Sequence, residues 1–451
     1  MRHRIRQRLD VECPPGVHRT RQEALSPRAL ESERPGRTRH HVAGSVLGDG
    51  TSANAGVGNV RGSAPAAKLV VQSVLDSGGG LDGIPNDLHD LFGPPYTTDG
   101  ARVHSNSWGF TSSALFGVYN SSAAELDDFV WNHRDLVVCF AAGNDGSDSN
   151  ADGVVDRASV TPPGTAKNCI TIGASENRRG TFKLTYGSGW PSDFPAVPLK
   201  NDRVANNADG MAAFSSRGPT RDQRFKPDVV APGTFILSAR SRDTSSGGWE
   251  VSADPLYMFE GGTSMATPLV AGSAALIREF LQKQGVAHPS AALVKALLIN
   301  GAHDMTGQYV PSETGPTPNI NEGFGRVDVA ASIGAADTRK LTFFDEGAAL
   351  TTGGSHTETI TVAAQSTLKV TLVWTDPAGE TLQNDLDLIV RANGVERHGN
   401  VAAGSAAFDR NNNVEQVVFE TVPAGATVTI IVKAFRTTLH AQPYALVIRE
   451  I

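Results

Sequence analysis

The spacing of apolar residues changes near residue 337, and this change constrains the fold more than any other feature of the sequence. Before it, apolar runs such as KLVVQSVL at 68–75 and VVCFAA at 137–142 alternate with helical patterns. After it, short segments alternate apolar and polar positions, and Gly, Asn, Asp and Pro separate them. The sequence therefore predicts two architectures in series, with a boundary near Ala336–Lys340.

The first architecture is predicted to be an α/β fold with a mostly parallel sheet. Apolar strands that alternate with amphipathic helices are typical of sheets covered by helices on both faces. The longest helix signal is SMATPLVAGSAALIREFLQKQ at 264–284, and shorter signals cover 81–91, 123–133 and 290–300. In such folds the functional site lies beyond the carboxyl ends of the strands.

The second architecture is predicted to be an antiparallel β-sandwich of roughly eight strands. Its strands show the alternation of a sheet with one buried face. The segments are LTFFDEG, HTETITVA, LKVTLVWTD, LDLIVRANG, VEQVVFETV, ATVTIIVKAF and YALVIREI.

Composition excludes several classes of function. Residues 1–40 carry ten Arg and five acidic residues, whereas the whole chain has a formal net charge of −7. This arm lacks Lys and the aromatic residues that stack on bases, so we expect no nucleic-acid partner. No run of about 18 apolar residues is present, so we expect no membrane span.

Cys139 and Cys169 lie in apolar runs and are predicted to be buried free thiols.

The segment GGTSMATPLVAG at 261–272 is the most specific indication of chemistry. Ser264 opens the longest helix, so its hydroxyl is expected to be exposed at the positive end of the helix dipole, which favours a developing oxyanion nearby. Alternatively, a serine in front of a helix only caps the first turn. In VVCFAAGNDG, Asn144 is likewise either an oxyanion donor or a turn residue before Asp-Gly.

Six segments together resemble the subtilisin-like serine proteases. They are HHVAG, VHSNSWG, AAGNDG, VTPPGTAKNCITIGAS, FSSRGPTRDQRFKPDVVAPG and GGTSMATPLVAG, and the resemblance runs from His41 to about residue 335. It implies a subtilisin-like peptidase domain over residues 41–337 that is expected to lack its N-terminal part. The segments VWTDPAG, NDLDL and NNNVEQV resemble the C-terminal jelly-roll domain of larger family members, which implies a jelly-roll over residues 338–451.

This resemblance implies a serine endopeptidase that hydrolyses polypeptides by acyl transfer. Ser264 matches the nucleophile and Asn144 the amide of the oxyanion hole. The matched substrate-binding positions comprise a strand that pairs with the substrate backbone, one wall of the S1 pocket and a residue near the base of that pocket. They are Ser107, Trp108, Gly109, Ala141, Ala142, Gly143 and Thr161. Secretion and a monomeric state are expected by the same analogy.

Two catalytic residues of the family have no match in this sequence. The family pattern G-H-G-T-H-V-A-G places the catalytic histidine three positions before the His of HVAG, and Thr38 stands there. The catalytic aspartate belongs to a D-[ST]-G turn further upstream, and residues 1–40 contain no such turn. A one-base shift in a back-translation of residues 37–40 gives Gly-His-Gly, and the same shift over residues 5–9 permits Asp-Ser-Gly-Leu. We therefore expect residues 1–40 to be an out-of-frame, disordered segment.

The alternative is a natural N-terminal extension on a catalytically inactive family member. Such a protein would act as a binding or structural protein through its C-terminal domain.

Acidic residues predict calcium sites in both domains. The pattern D-x-N-x-D-G at 148–153 resembles the start of an EF-hand-like loop. An exposed acidic turn is the alternative, because Ser159 stands where a bidentate Glu is expected. The predicted ligands of this loop are Asp148, Asn150, Asp152 and Asp156. Those of the second domain are Asp385 and Asp387, near Asp376 and Asp409, in a fold that binds calcium in its relatives.

Overall fold

The computed structural model describes residues 19–20, 37–51, 58–74, 81–242, 244–309, 312–347 and 349–451. The predicted disordered segment 1–40 therefore lies largely outside the described residues. The helices of the described part are α1 (Arg37–Leu47), α2 (Leu88–Thr97), α3 (Ser121–Asn132), α4 (Tyr186–Gly189), α5 (Thr263–Lys283), α6 (Ala291–Gly301) and α7 (Val329–Ser332). None of these helices is both long enough and apolar enough to cross a membrane.

Two strands precede the central sheet, and four parallel strands form it. The short strands β1 (Arg19–Thr20) and β2 (Val71–Gln72) pair with each other in antiparallel orientation. The central strands, in spatial order, are β3 (Val103–Asn106), β4 (Val137–Ala141), β5 (Ile170–Ser175) and β6 (Val229–Pro232).

The helix α5 fixes the position of the site on this sheet. It packs against all four central strands. Its N-terminus is hydrogen-bonded to Ser107 and Asn144, which follow β3 and β4. The start of α5 therefore lies at the carboxyl edge of the sheet, as the α/β architecture predicts.

A small antiparallel sheet leads into α5. It has the order β7-β9-β8, where β7 is Ile236–Ala239, β8 is Glu250–Val251 and β9 is Tyr257–Glu260. β9 ends directly before the glycine pair that precedes α5. The helix α1 packs against both α5 and β7.

Two four-stranded antiparallel sheets follow. Their orders are β10-β17-β12-β15 and β11-β16-β13-β14. Apolar side chains of β12, β13 and β16 form one buried cluster between them. The strands are β10 (Lys340–Phe344), β11 (Ser355–Thr361), β12 (Ser366–Val373), β13 (Asp385–Ala392), β14 (Val395–His398), β15 (Val414–Val422), β16 (Thr427–Arg436) and β17 (Ala445–Glu450).

The C-terminal sheets share a core with the parallel sheet. Val373, Val414 and Val447 belong to the same buried apolar cluster as β4 and β5. The helix α6 lies between the two units and packs against β4 on one side and β12 and β17 on the other. Every residue of α6 is buried, which explains why its sequence lacks a polar face.

The predicted α/β class with a C-terminal antiparallel β unit is confirmed, whereas several element boundaries differ. The helix predicted at 81–91 lies at Leu88–Thr97, where Asp87 caps it through the His89 backbone N–H. The apolar run at 229–239 forms two strands, β6 and β7, because Pro232 cannot donate to a ladder and Gly233 follows. Strand β14 was not predicted. Cys139 and Cys169 are buried and free, as predicted.

Candidate active site

Ser264 lies in the first turn of α5, at the carboxyl edge of the parallel sheet. The residue before the helix, Gly262, has φ = 135°, a conformation that a residue with a side chain rarely adopts. A Cβ atom at Gly262 would also lie 3.4 Å from the Asn144 amide nitrogen. The glycine therefore lets the backbone pass close to Asn144, and the half-buried Ser264 follows at the amino end of the helix dipole.

Ser107 and Ser264 are joined by two hydrogen bonds. The Ser107 hydroxyl donates to the Ser264 carbonyl oxygen at 2.9 Å. The Ser264 hydroxyl donates to the Ser107 carbonyl oxygen at 3.3 Å. Pro268 explains why the Ser264 carbonyl is available, because proline has no N–H to donate to the carbonyl four residues earlier.

Asn144 is exposed and is held by the start of α5. Its Oδ1 atom accepts hydrogen bonds from the Thr263 backbone N–H at 2.8 Å and from the Thr263 hydroxyl at 3.1 Å. These bonds fix the orientation of the amide and leave its Nδ2 group to donate to another acceptor. The sequence offered a turn residue and an oxyanion donor as alternatives, and this orientation suits a donor.

The predicted substrate-pairing strand, residues 107–109, lies next to Thr161, the residue predicted near the base of the pocket. The Phe110 backbone N–H donates to the Pro162 carbonyl oxygen at 3.2 Å. A Cβ atom at Gly109 would lie 3.5 Å from the Thr161 hydroxyl. Thr161 itself is buried and packs against this strand. Trp108 packs its ring against Phe140, with 5.0 Å between ring centroids.

The other predicted wall comprises the last residue of β4 and the two residues after it, and it lies close to the loop that carries Thr161. A Cβ atom at Gly164 would lie 3.2 Å from the Ala141 carbonyl oxygen. Gly143 has φ = 109°, and a Cβ atom there would lie 2.7 Å from the Ser216 hydroxyl. Ala142 is completely buried, so this position shapes the wall through its backbone. The structure thus brings all seven predicted substrate-binding residues to one edge of the sheet.

Comparison with known proteins identifies the family. The model of the subtilase family, Peptidase_S8, matches residues 27–325. The chain belongs to the subtilase family. A serine protease/ABC transporter B family protein of Dictyostelium discoideum, tagD, is 26% identical over 84% of the chain and 26% of its own length. Serine protease AprX of Bacillus subtilis is 30% identical over 58% of the chain and 51% of its own length.

A third relative, pyrolysin of Pyrococcus furiosus, is 32% identical over 60% of the chain and 18% of its own length. The chain of this subtilase therefore spans about a quarter of the Dictyostelium relative and about half of the Bacillus relative.

The histidine of the HVAG segment faces β7 in this subtilase. His41 is completely buried, and its Nε2 atom is 2.9 Å from the Ile236 carbonyl oxygen on β7. Burial lowers the pKa of His41 to about 4, so the ring is neutral at physiological pH. Its role is to anchor α1 to β7.

The predicted calcium loop at 148–156 is closed by its own hydrogen bonds. The two carboxylate oxygens of Asp148 accept from the Asp152 and Gly153 backbone N–H groups at 2.9 and 3.0 Å. Asp156 accepts from the Ser149 backbone N–H at 2.8 Å, and the Asn150 amide donates to Asp152 at 3.0 Å. This geometry suits the acidic-turn alternative, and calcium at this loop stays a prediction. Across the described residues, no group of three or more His, Cys, Asp or Glu is placed to hold a metal ion.

The predicted calcium ligands of the C-terminal unit are paired with arginine instead. The Arg410 guanidinium contacts both Asp385 and Asp387. Two carboxylates that already hold a guanidinium do not fit a calcium ion at the same position.

A buried ion pair between the two units was not predicted. Lys167 and Asp376 are both completely buried, and Lys167 Nζ is 2.6 Å from Asp376 Oδ2. Lys167 Nζ also donates to the Pro377 and Thr381 carbonyl oxygens at 2.7 and 3.2 Å. A lysine inside the apolar stretch that leads to β5 is the signal that could have indicated a buried partner.

A second buried acidic group follows the carboxyl end of β5. Glu176 Oε1 accepts from the Tyr186 hydroxyl at 2.9 Å and from the Gln308 amide at 3.0 Å. The same Gln308 amide donates to Asp202 at 3.0 Å. Burial, and then the neighbouring Asp202, raises the pKa of Glu176 to about 9. Glu176 therefore carries a proton at physiological pH.

Proposed function

We propose that this subtilase is a serine endopeptidase with Ser264 as the nucleophile and Asn144 as an oxyanion donor. The observation that supports this most directly is the bond from the Thr263 N–H to Asn144 Oδ1, which holds the amide beside the turn that carries Ser264. Ser264 Oγ would attack the scissile carbonyl carbon, and the Asn144 Nδ2 group would donate to the oxyanion that forms. The leaving amine takes up a proton, and water then hydrolyses the acyl-enzyme.

The proposed substrate is an extended polypeptide. In the part of the chain that the structure describes, β3 is an edge strand of the central sheet. Residues 107–109, which follow it, would pair with the substrate backbone by strand addition. The side chain before the scissile bond would enter the space between residues 107–109 and 141–143. Thr161, which is close to Gly109, would lie at the base of this space and limit its depth.

The proposal requires a general base, which His41 cannot supply because it faces β7. The sequence match places the family's histidine at position 38, in the first turn of α1. The helix α1, which would carry this base, packs against α5. We propose that the natural protein has histidine at position 38 and that residues 1–40 are read out of frame.

A fluorophosphonate probe tests both parts of the proposal, because covalent labelling of a serine needs a working base. The chain with Thr38 and a frame-corrected chain are treated with the probe, each beside its Ser264→Ala variant. Labelling of either chain that disappears with Ser264→Ala supports the peptidase. If the corrected chain is labelled and the chain with Thr38 is not, the result also supports the frame error.

The absence of labelling in both chains would overturn the peptidase proposal. It would favour the inactive binding or structural protein, for which Thr38 at the histidine position is the supporting observation. Sequencing the gene across codons 1–45 separately decides whether the frame is correct.

We also propose the division into a peptidase domain at 41–337 and a jelly-roll domain at 338–451. The start of β10 at Lys340 and the two facing four-stranded sheets support it. Secretion and a monomeric state are proposed from the family resemblance. Limited proteolysis, culture fractionation and analytical ultracentrifugation test these three statements.

A further inference from the structure

Asp385 and Asp387 form a buried acidic pair at the start of β13. They are two residues apart, so both side chains project from the same face of the strand. Both side chains are almost fully buried, with 4% and 3% of their surface exposed. Burying two carboxylates so close together is unfavourable unless a cation lies between them.

The guanidinium of Arg410 provides that cation. Its Nη1 atom is 3.1 Å from Asp385 Oδ1 and is also bonded to Asp387 Oδ1. The same nitrogen donates to the Asp409 carbonyl oxygen at 3.2 Å. The guanidinium carbon lies 3.9 Å from the centroid of the Phe435 ring, within the range of a cation–π contact.

The neighbouring acidic groups, Asp409 and Glu415, accept hydrogen bonds of their own, although Glu415 Oε1 is buried without a hydrogen-bond partner. The Asp409 carboxylate accepts from the Asn400 and Asn412 amides at 2.7 and 2.8 Å. Glu415 is buried and accepts from the Leu388 backbone N–H at 2.6 Å. Burial, and then Asp409, raises the pKa of Glu415 well above its usual range. Asp385 and Asp387 are the two carboxylates that Arg410 contacts.

A calcium ion needs six to eight oxygen ligands at about 2.3–2.6 Å. Arg410 places an N–H donor and a positive charge at the two carboxylates that would be its main ligands. We infer that Arg410 is the built-in cation of the Asp385–Asp387 pair and makes calcium unnecessary at this position of the C-terminal unit.

Calcium binding to the full chain tests this inference. Equilibrium dialysis counts the calcium ions bound by the natural chain and by the Asp385→Asn/Asp387→Asn variant. We expect both proteins to bind the same number of calcium ions, because Arg410 rather than calcium occupies the Asp385–Asp387 pair. Any calcium bound by the loop at 148–156 contributes equally, since that loop is the same in both proteins. One ion fewer in the double variant would overturn the inference.

The substitution Arg410→Gln is the complementary test. We expect it to lower the Tm by roughly 5 °C in EDTA, because it leaves two buried carboxylates without a cation. Calcium should then restore part of the loss, and the variant should bind one ion more than the natural chain. The matched control Arg410→Lys keeps the positive charge and should gain no ion.

An Arg410→Gln variant whose Tm equals that of the natural chain in EDTA would also overturn the inference. If Arg410→Gln does not fold, the dialysis comparison of the natural chain with the Asp385→Asn/Asp387→Asn variant still decides. These measurements do not depend on peptidase activity, so their outcome is separate from that of the proposed function.

Discussion

The Ser264 carbonyl oxygen accepts a hydrogen bond from the Ser107 hydroxyl at 2.9 Å, in place of the backbone N–H that Pro268 lacks. A proline inside a helix normally leaves the carbonyl four residues earlier without a partner. Here the loop after β3 supplies the partner. The bond therefore joins the proposed substrate-pairing strand to the proposed nucleophile.

Replacing Ser107 with alanine should lower the free energy of unfolding by about 1 kcal/mol, the typical contribution of one hydrogen bond. In a Pro268→Ala background the loss should be smaller, because the new N–H at position 268 can reach the Ser264 carbonyl. Chemical denaturation of the four proteins of this double-mutant cycle measures the coupling. Equal losses in both backgrounds would contradict the role assigned to Pro268.

Substitutions of Asn144 should separate its two roles. Asn144→Asp keeps an oxygen that accepts from the Thr263 N–H but loses the Nδ2 donor. We expect it to keep its stability and to slow fluorophosphonate labelling of the frame-corrected chain about 10²–10³-fold, which is the cost known for the corresponding donor of subtilisin itself.

Asn144→Ala loses the acceptor as well, so it should also be less stable by about 1 kcal/mol, as for other lost helix caps. Labelling rates and urea unfolding of both variants provide the comparison. If Asn144→Asp is labelled as fast as the natural residue, Asn144 is a turn residue only.

Replacing Lys167 with methionine should lower the free energy of unfolding by about 3–5 kcal/mol, because it leaves the buried Asp376 carboxylate without its cation. In Lys167→Met/Asp376→Asn the remaining side chain is neutral and can still accept hydrogen bonds. This double variant should regain at least half of the loss. Differential scanning calorimetry of the three proteins checks the order of stability, and a double variant less stable than Lys167→Met would refute the argument.

The stability of the protein should decrease as pH rises between about 5 and 9, because Glu176 keeps its proton in the folded state over this range and loses it in the unfolded state. Its pKa is raised from 4.5 to about 9 in the folded state, so below 4.5 the folded and unfolded states hold the proton equally. Above that pH the unfolded state releases the proton first, and folding loses about 1 kcal/mol per pH unit until the folded group also ionises.

The variant Glu176→Gln cannot ionise and provides the control. The difference in free energy of unfolding between the natural protein and this variant should change steadily across the same pH range. Urea unfolding at several pH values measures this difference, and a constant difference would show that Glu176 is ionised in the folded protein.

Local motifs predicted the parts of the site that depend on short segments. The segment that contains Ser264 predicted a helix start, and AAGNDG predicted a strand end at Asn144. Both are set by a few consecutive residues: glycines that permit unusual backbone angles, and an apolar run that must be buried. Boundaries such as that of α2 were less predictable, since the Asp87 cap competes with other start signals nearby.

Partners that are far apart in sequence were not predictable in the same way. Lys167 and Asp376 are 209 residues apart, and no local pattern links them. The acidic residues of the C-terminal unit predicted a calcium site, and the sequence does not show that Arg410 folds back onto β13 to contact two of them. A carboxylate that becomes buried needs a positive charge nearby, but the sequence around it does not show which group supplies that charge.

The sequence by itself determined the α/β class, the C-terminal antiparallel strands and the family, because periodicity and local motifs are properties of neighbouring residues. Only the tertiary structure decided that Asn144 is held by Thr263, that His41 faces β7 and that Lys167 and Arg410 neutralise buried carboxylates. The physical reason is that burial and charge pairing depend on which distant segments pack together. Ionised groups in particular are acceptable inside a protein only where packing brings a partner within hydrogen-bonding distance.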